Sequence, residues 1–305
     1  MDKDQIQRLE HSIRVNFPEF PVQSARKLGE GLMSVAILIN EQWVFRFPKN
    51  EEGAEDLEKE IKIMPMLTER ITLAIPKFDY VGKQYNGLPF VGYRKLQGEL
   101  LGEDSVPTLP ASEQSTIAGQ IATFIDELSS FPVAKARELG VPEVDLRDDF
   151  VELFKQTKQI VFPQIDQEMQ KYIVSRFENH FNHPTNFHYS PTLIHADLSP
   201  DHYLIDPNDR KLTGIIDFGD LQITDPDYEY TYLLEDCGED FTRQVMESRE
   251  EAHITSKLKK VSFFVLAGHL AYILEGCARR NQVWVEEGIE AVRSEMENGN
   301  HDAMI

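Results

Sequence analysis

The sequence predicts an α+β chain with two lobes, a β-rich N-terminal lobe and a mainly helical C-terminal lobe. Alternating apolar residues and glycine-containing turns fill roughly the first hundred residues, whereas amphipathic helical patterns fill most of the remainder. A chain of 305 residues exceeds what one small core needs and suits two lobes that share a cleft. We place the link between the lobes near residues 96–99, so that the lobes span 1–97 and 98–305.

The N-terminal lobe opens with a predicted amphipathic helix over 4–15. A glycine-containing turn and a β-rich stretch follow over 27–39, and residues 40–42 are typical of a hairpin turn. The return strand over 43–47 alternates, which puts the aromatic side chains on one face and Val44 and Arg46 on the other. The remaining elements predicted in this lobe are a helix and two strands, over 55–67, 78–81 and 90–94.

The C-terminal lobe is predicted from helical periodicity. Ser112 can cap a helix whose apolar stripe runs from Ile117 to Leu128. Further helices are expected at about 147–160 and 165–181. Short strands and loops then continue to about residue 224, and the rest is helical.

The composition is that of a globular protein, since hydrophobic residues make up 41% and charged residues 27%. The formal net charge of -21 argues against nucleic acid or an anionic membrane surface as a partner. Such a charge favours a cationic ligand, although acidity also serves solubility.

Cysteine usage and hydropathy indicate the compartment. Cys237 and Cys277 form neither a CxxC pair nor a His–Cys metal spacing, which fits a reducing cytoplasm without a disulfide framework or structural zinc. The N-terminus lacks the apolar stretch of a signal peptide. The apolar segment 261–274 is too short to span a bilayer and predicts a buried helix. We therefore expect a cytoplasmic protein without a membrane or nucleic-acid partner, and by default a monomer.

The segment 193–220 carries the chemistry. It holds His-Ala-Asp197, then His202 five positions after the aspartate, then an apolar strand that leads into Asp217-Phe-Gly. Phosphoryl transfer needs one carboxylate to orient the acceptor hydroxyl and another to hold Mg²⁺ against the triphosphate, with a further ligand on the first loop. Two strands that end side by side would present Asp197, His202 and Asp217 to one cleft.

At these residues the chain resembles the aminoglycoside phosphotransferase family, antibiotic kinases with the protein-kinase-like fold, and especially its 2''-phosphotransferases. The likeness runs nearly full length through four segments, 43–49, 93–98, 193–206 and 214–227. It implies that Asp197 is the catalytic base and Asp217 the main Mg²⁺ ligand. His202 is the further metal ligand, at a position where many members have Asn.

The resemblance also implies a nucleotide site for ATP or GTP. Arg46 lies where the fold usually has a phosphate-binding Lys, and Lys49 is a nearby alternative. The ion-pair partner of that cation is Glu60, with Glu58 as the second candidate. The other residues expected at the nucleotide are in the glycine-containing turn and at the link between the lobes, namely Ser34, Tyr93 and Leu96.

An acidic segment indicates the substrate. Residues 212–242 contain no Lys or Arg but many carboxylates, which would meet the ammonium groups of a polycation such as an aminoglycoside. The resemblance implies that the substrate pocket is lined by Asp220, Glu235 and Glu239. Ser199 is expected to contact the same substrate.

Other residues of the acidic segment have structural explanations. We expect Asp225 to cap or brace the loop after Asp217-Phe-Gly, and Glu229 and Asp240 to lie on a solvated helix face. Trp284 either closes the substrate pocket or belongs to the core.

Three alternatives stay open at this point. Arg46 and His202 are similar to macrolide kinases, but a macrolide has one amine, and those kinases tend to have Trp at the position of Phe218. Choline or another amine metabolite would also suit an acidic wall. A kinase fold that binds ligand without turnover is the third alternative, against which the retention of both Asp197 and Asp217 argues.

Overall fold

The structure is a computed structural model that describes residues 3–298. Its first part is a five-stranded antiparallel sheet in the order β1-β2-β3-β5-β4. The strands are β1 (Ala25–Glu30), β2 (Ser34–Ile39), β3 (Trp43–Pro48), β4 (Phe78–Lys83) and β5 (Pro89–Arg94). Helix α1 (Lys3–Asn16) precedes the sheet, and α2 (Glu51–Leu67) connects β3 to β4.

The remainder is mainly helical. Its helices are α3 (Ala111–Ser129), α4 (Val133–Glu138), α5 (Leu146–Gln156), α6 (Gln167–Asn182), α7 (Thr231–Ser248), α8 (Ile254–Arg279) and α9 (Gln282–Asn298), with a π-helical turn, Thr157–Val161, after α5. Short strands form two small sheets: β6 (Glu99–Leu100), β8 (Tyr203–Ile205) and β9 (Leu212–Ile215) in one, and β7 (Thr192–Ile194) with β10 (Gln222–Thr224) in the other. The predicted α+β class is therefore confirmed.

The alternation predicted for β3 is confirmed. Phe45 and Phe47 are fully buried in a cluster with Phe20 and Phe90 on one face of the sheet. Val44 belongs to a separate apolar cluster with Leu38 and Tyr93 on the opposite face. Because side chains alternate along a strand, Arg46 shares the face of Val44 and is directed to the cleft between the sheet and the helical part.

The hairpin between β2 and β3 has the predicted turn. Asn40 and Glu41 both adopt positive φ, 54° and 57°, which matches the right-handed twist of the flanking strands. The Asn40 side chain also accepts a hydrogen bond from the Gln23 amide at 2.9 Å. Asparagine tolerates this backbone region better than most residues, so the sequence signal and the geometry agree.

Helix α2 belongs to both halves of the molecule. It begins four residues earlier than predicted, because the Asn50 side chain caps it by accepting from the Gly53 amide at 2.9 Å. Its first half packs under the five-stranded sheet, whereas Ile63, Met64 and Leu67 lie in the core of the helical part. The division at 97/98 stays a prediction. Helix α2 precedes that boundary in the sequence but packs against residues on both sides of it.

Two other helices differ from their prediction. Ser112 does not cap α3: the helix begins at Ala111, and Pro110 occupies the cap position, where its fixed φ suits the turn into a helix. Helix α8 extends well beyond the predicted apolar segment, to 26 residues. By length and composition α8 would suit a membrane span, but a core helix passes the same test, and α8 packs along α7 and α9.

The predicted link between the lobes runs from the sheet to β6. Gly98 has a φ of 109°, and the Thr213 hydroxyl donates to the Gln97 carbonyl at 2.6 Å. A side chain at Gly98 would lie 2.4 Å from the Thr213 oxygen, so both the backbone conformation and the space require glycine here.

A matched pair of glycines tests the packing of the sheet in the helical part. At Gly214 in β9 an added Cβ would lie 2.5 Å from the Ala74 carbonyl oxygen, whereas at Gly119 in α3 nothing lies within 4 Å. We expect Gly214→Ala to lower the free energy of unfolding by about 2 kcal/mol through overpacking. Gly119→Ala should raise it by up to about 1 kcal/mol through helix propensity. Thermal or urea unfolding measures both, and equal effects would contradict the described packing.

Candidate active site

The loop after β7 presents Asp197. Ala196, immediately before it, has a φ of 68°, a conformation that L-residues rarely adopt. The carboxylate of Glu229 holds this backbone in place, because its Oε2 accepts from the His195 amide at 2.8 Å and from the Ala196 amide at 3.2 Å. The position of Asp197 is thus fixed through main-chain atoms.

Glu229 corrects an expectation from the sequence. It was predicted on a solvated face, but only 2% of it is exposed. Burial raises the pKa of Glu229 to about 7, and the two amide donors oppose the rise. The prediction was wrong because the partners of Glu229 are backbone amides far away in the sequence. Asp240, by contrast, is exposed as predicted.

Asp217 follows β9 and faces His202. The loop after β7, which carries Asp197 and His202, is joined to the end of β9 by the Ile216 amide, which donates to the His202 carbonyl at 3.0 Å. His202 Nδ1 lies 3.5 Å from Asp197 Oδ2, and His202 Nε2 lies 3.9 Å from Asp217 Oδ2. The imidazole therefore separates the two carboxylates. Asp217, like Ala196, has a positive φ, 63°.

The charged groups in this cluster shift the pKa values of one another. Burial raises the pKa of Asp197 to about 7; His202 opposes this rise, and nearby carboxylates add to it. Burial alone would lower the pKa of His202, but the carboxylate of Asp197 raises it. Burial alone would raise the pKa of Asp217, but the Arg46 guanidinium, His202, His195 and the Gly219 amide together lower it.

An ion pair joins β3 to α2 beside Asp217. Arg46 Nη2 bonds to Glu60 Oε1, and Arg46 Nη1 lies 3.4 Å from Asp217 Oδ1. The side chains of Arg46 and Glu60 are 15% and 2% exposed. Burial raises the pKa of Glu60 to about 7, with Arg46 limiting the rise. Glu58, the second candidate for this pairing, is exposed.

The ion pair borders a cavity of about 150 Å³ beneath the turn at Gly31. Ser34 and Arg46 line it from the sheet, Glu60 from α2, and Asp217 and Asp220 from the loop after β9. The structure thus brings together five residues that the sequence analysis placed at a nucleotide, metal or substrate.

The other predicted nucleotide residues, Lys49, Tyr93 and Leu96, do not line this cavity. Lys49 contacts the turn between β1 and β2. Its Nζ donates to the Gly31 carbonyl at 2.7 Å and pairs with the Glu30 carboxylate at 2.8 Å. Tyr93 is 9% exposed in the apolar cluster on the cleft face of the sheet, and Leu96 lies half-buried at the link.

Acidic residues converge on two tyrosines after the Asp217-Phe-Gly turn. Burial raises the pKa of Tyr228 to about 12, and the rise is increased by Asp220, Glu235 and Asp197. Burial and the same carboxylates also raise the pKa of Tyr232. Asp197, Asp220 and Glu235 therefore lie within electrostatic range of the same two tyrosines.

The remaining predicted substrate residues are spread more widely. Ser199 donates to Asp236 Oδ2 at 2.7 Å, and Glu239 pairs with Arg243 at 2.6 Å. Glu239 is separated from Glu235 by a kink in α7 at Gly238, which has a φ of 80°, so that the two do not share one straight helix face. Asp225 has the predicted structural role, since it caps the turn after β10 by accepting from the Asp227 amide at 3.0 Å.

Trp284 lies on α9, half-buried. It stacks on Tyr272 with ring centroids 5.3 Å apart. Tyr272 is one turn along α8 from His269, whose Nδ1 lies 3.4 Å from Glu235 Oε1. The stack therefore sits on the same side of α8 as the acidic residues.

Of the two predicted metal ligands, the Asp217 carboxylate is the type that Mg²⁺ prefers, whereas His202 supplies a nitrogen in place of an oxygen. Within residues 3–298 no three His, Cys, Asp or Glu side chains form a metal-binding group by themselves. Mg²⁺ is commonly held by one or two carboxylates, with substrate phosphates and water supplying the other ligands. Asp217 and His202, with Oδ2 and Nε2 3.9 Å apart, are close enough to share one ion.

Several residues of the site were not predicted. They are Lys59, Tyr228, Glu229, Tyr232, Asp236 and His269. Their contacts are with main-chain atoms or with residues on other elements, so no local spacing marks them. The sequence did mark the acidic segment, because residues 212–242 contain no Lys or Arg. That pattern did not show which of its residues contact the site or what each one does.

The fold and the site together define a kinase-like phosphotransferase, with two carboxylate-bearing loops facing a buried arginine–glutamate pair. The chain belongs to the phosphotransferase enzyme family APH, whose family model matches residues 25–263. This confirms the fold class and the resemblance stated from the sequence.

The chain is similar to solved aminoglycoside phosphotransferases. A GDP complex of a mutant of aminoglycoside 2'-phosphotransferase-IIIa is 45% identical, with 97% of this chain and 99% of that chain covered and a TM-score of 0.94. A GDP and kanamycin complex of APH(2")-IIIa is 46% identical, with coverage of 95% and 99% and a TM-score of 0.92. A macrolide 2'-phosphotransferase type I, 16% identical with coverage of 96% and 98% and a TM-score of 0.74, shares the fold.

The pH dependence of stability tests the environment of Glu229. Its pKa is raised from 4.5 to about 7 on folding, so the folded chain binds an extra proton between these values. Stability from this group is present at low pH and is lost as the pH rises towards the folded pKa. Compared with Glu229→Gln, the wild type should lose about 2 kcal/mol between about pH 5 and about pH 8.

Urea unfolding across this pH range measures the difference. Asp240→Asn on the exposed surface of α7 is the matched control and should follow the wild type. Parallel stability curves for the wild type and Glu229→Gln would contradict the buried carboxyl group.

Proposed function

We propose that this chain transfers the γ-phosphoryl group of GTP or ATP to a hydroxyl of an aminoglycoside antibiotic. The supporting observation is the group of carboxylates that act on the same two tyrosines, Asp197, Asp220 and Glu235, and we call the region between them the acidic pocket. A polyamine with many hydroxyls complements that charge, and a carboxylate beside it is available to orient one hydroxyl. The relative crystallised with GDP and kanamycin supports the same class of substrate.

Asp197 is the catalytic base in this proposal. Its carboxylate accepts a hydrogen bond from the substrate hydroxyl and directs the oxygen in line with the γ-phosphorus. The Glu229 carboxylate fixes the backbone before it, and His202 Nδ1 bonds to the main-chain carbonyl oxygen of Asp197 at 3.0 Å. Positioning contributes more than basicity, because the phosphoryl-transfer transition state is loose.

The nucleotide phosphates are placed in the cavity beneath Gly31. Arg46 supplies a fixed positive charge there, because Glu60 holds its guanidinium in place. Ser34 lies at the same cavity. The base is placed against Tyr93 and Leu96, and we propose GTP as the first nucleotide to test because the similar enzymes were solved with GDP.

Asp217 and His202 would hold Mg²⁺. When bound, the ion would offset the negative charge of the phosphates. The chain's own contribution is to keep Asp217 oriented through Arg46 at 3.4 Å and to keep His202 beside it. Residues 1–97 and 98–305 form the two lobes in this proposal, and the protein acts as a cytoplasmic monomer.

The substrate experiment is a coupled assay of Mg²⁺-dependent nucleoside diphosphate release. Aminoglycosides, macrolides and choline-like amines are compared, each with GTP and with ATP. Turnover with aminoglycosides supports the proposal. Turnover with macrolides or choline-like amines alone would support the assigned catalytic residues and overturn the substrate assignment. No turnover with any of these compounds would favour a protein that binds its ligand without phosphorylating it.

The role of Asp197 predicts a specific kinetic change. Asp197→Asn keeps the size of the side chain but removes the charge that orients the hydroxyl. The value of kcat should fall by about 100- to 10,000-fold, whereas KM for the aminoglycoside should change little. Steady-state kinetics measure both parameters, and a kcat near that of the wild type would refute the assignment.

The acidic pocket predicts the opposite pattern. Asp220→Ala and Glu235→Ala should each raise KM for a cationic aminoglycoside by about tenfold, because each removes a charged hydrogen-bond partner. Their effect on kcat should be smaller. Asp240→Ala, on the exposed side of the same helix as Glu235, is the control. If KM is unchanged in both pocket variants, the pocket does not bind the ammonium groups.

A further inference from the structure

Helix α2 turns two consecutive residues towards the Asp217-Phe-Gly turn. Lys59 and Glu60 are both buried, with 7% and 2% of their surface exposed. Glu60 reaches Asp217 indirectly, through Arg46. Lys59 reaches the turn directly, because its Nζ donates a hydrogen bond to the carbonyl oxygen of Gly219.

The Lys59 contact is made with the main chain. Its partner is a carbonyl oxygen 160 residues away in the sequence, so the bond fixes the path of the turn and not a side-chain rotamer. A second interaction, with Asp56 Oδ1 at 3.3 Å on the preceding turn of α2, orients the ammonium group. A buried ammonium with two acceptors is in a satisfied environment, so the contact is built into the fold.

The turn needs such support. Asp217 has a φ of 63°, a conformation that persists only when surrounding contacts determine it. The side-chain contacts of Asp217 with Arg46 and His202 are long, 3.4 and 3.9 Å. The turn lies close to α2, since a Cβ added at Gly219 would be 3.8 Å from Glu60 Oε1.

We propose that Lys59 is a positioning residue of the active site, which acts through the Gly219 carbonyl to hold the carboxylate of Asp217 in the orientation that binds metal. This inference rests on the proposed function for the role of Asp217. Lys59 itself touches neither the phosphates nor the substrate in this account. Its effect is therefore on the metal-dependent part of nucleotide binding and on kcat, not on aminoglycoside affinity.

The variant that tests this is Lys59→Met, which keeps the length and apolar stem but removes the donor. Isothermal titration with GDP, with and without Mg²⁺, is the readout that does not require turnover. In Lys59→Met the affinity gained on adding Mg²⁺ should fall by about tenfold, while metal-free GDP binds as in the wild type. The value of kcat should fall by about 10- to 100-fold with KM for the aminoglycoside unchanged.

Two further variants separate positioning from general stability. Lys59→Arg retains a donor and should recover part of the metal-dependent affinity. Lys62→Met, on the exposed side of the same helix, is the matched control and should behave as the wild type. Where Lys59→Met folds poorly, Lys59→Arg alone tests the proposal, because it should lose part of the Mg²⁺ effect on GDP binding while Lys62→Met loses none; a full Mg²⁺ effect in Lys59→Arg then contradicts the positioning role.

The outcomes distinguish the two proposals. If Lys59→Met keeps the full Mg²⁺ effect on GDP binding, or loses affinity equally with and without the ion, the positioning role is wrong. If the wild type phosphorylates no aminoglycoside but Lys59→Met still loses the Mg²⁺ effect, the positioning role holds and the proposed substrate fails.

Discussion

The buried ion pair between Arg46 and Glu60 is the interaction on which the site depends. It joins the sheet to α2, and α2 in turn packs into the core of the helical part through Ile63 and Met64. Removing one partner of such a pair leaves an uncompensated buried charge, at a cost of about 3–5 kcal/mol. The pair therefore holds the sheet in place against α2 and the helical part. It also holds the Arg46 guanidinium in position opposite Asp217.

Two residues with positive φ stand where the chemistry is proposed. Ala196 precedes Asp197 with a φ of 68°, and Asp217 has a φ of 63°. A buried side chain bonds to the main chain at each place: Glu229 accepts from the Ala196 amide, and Lys59 donates to the carbonyl of Gly219, two residues after Asp217. The two carboxylates are thus preorganised through hydrogen bonds to main-chain atoms, which costs nothing further when the substrates bind.

The sequence was sufficient for the fold class, the β3 alternation and the loop that carries Asp197, because these depend on local periodicity and spacing. Glu229 and Lys59 could not be assigned, since their partners are backbone atoms 33 to 34 and 160 residues away. The start of α3 was misplaced because Pro110 replaced a side-chain cap. The substrate role of Glu239 came from the resemblance and stays a prediction; the kink at Gly238, which the sequence did not predict, separates Glu239 from Glu235.

The central claim is that the acidic pocket and the two loops transfer a phosphoryl group to an aminoglycoside hydroxyl. The most direct measurement is mass spectrometry with ³¹P NMR on kanamycin incubated with the purified protein, Mg²⁺ and GTP or ATP. The account predicts kanamycin carrying one added phosphoryl group on oxygen, formed in equal amount to the nucleoside diphosphate and absent with Asp197→Asn. Nucleotide hydrolysis without modified kanamycin would contradict it.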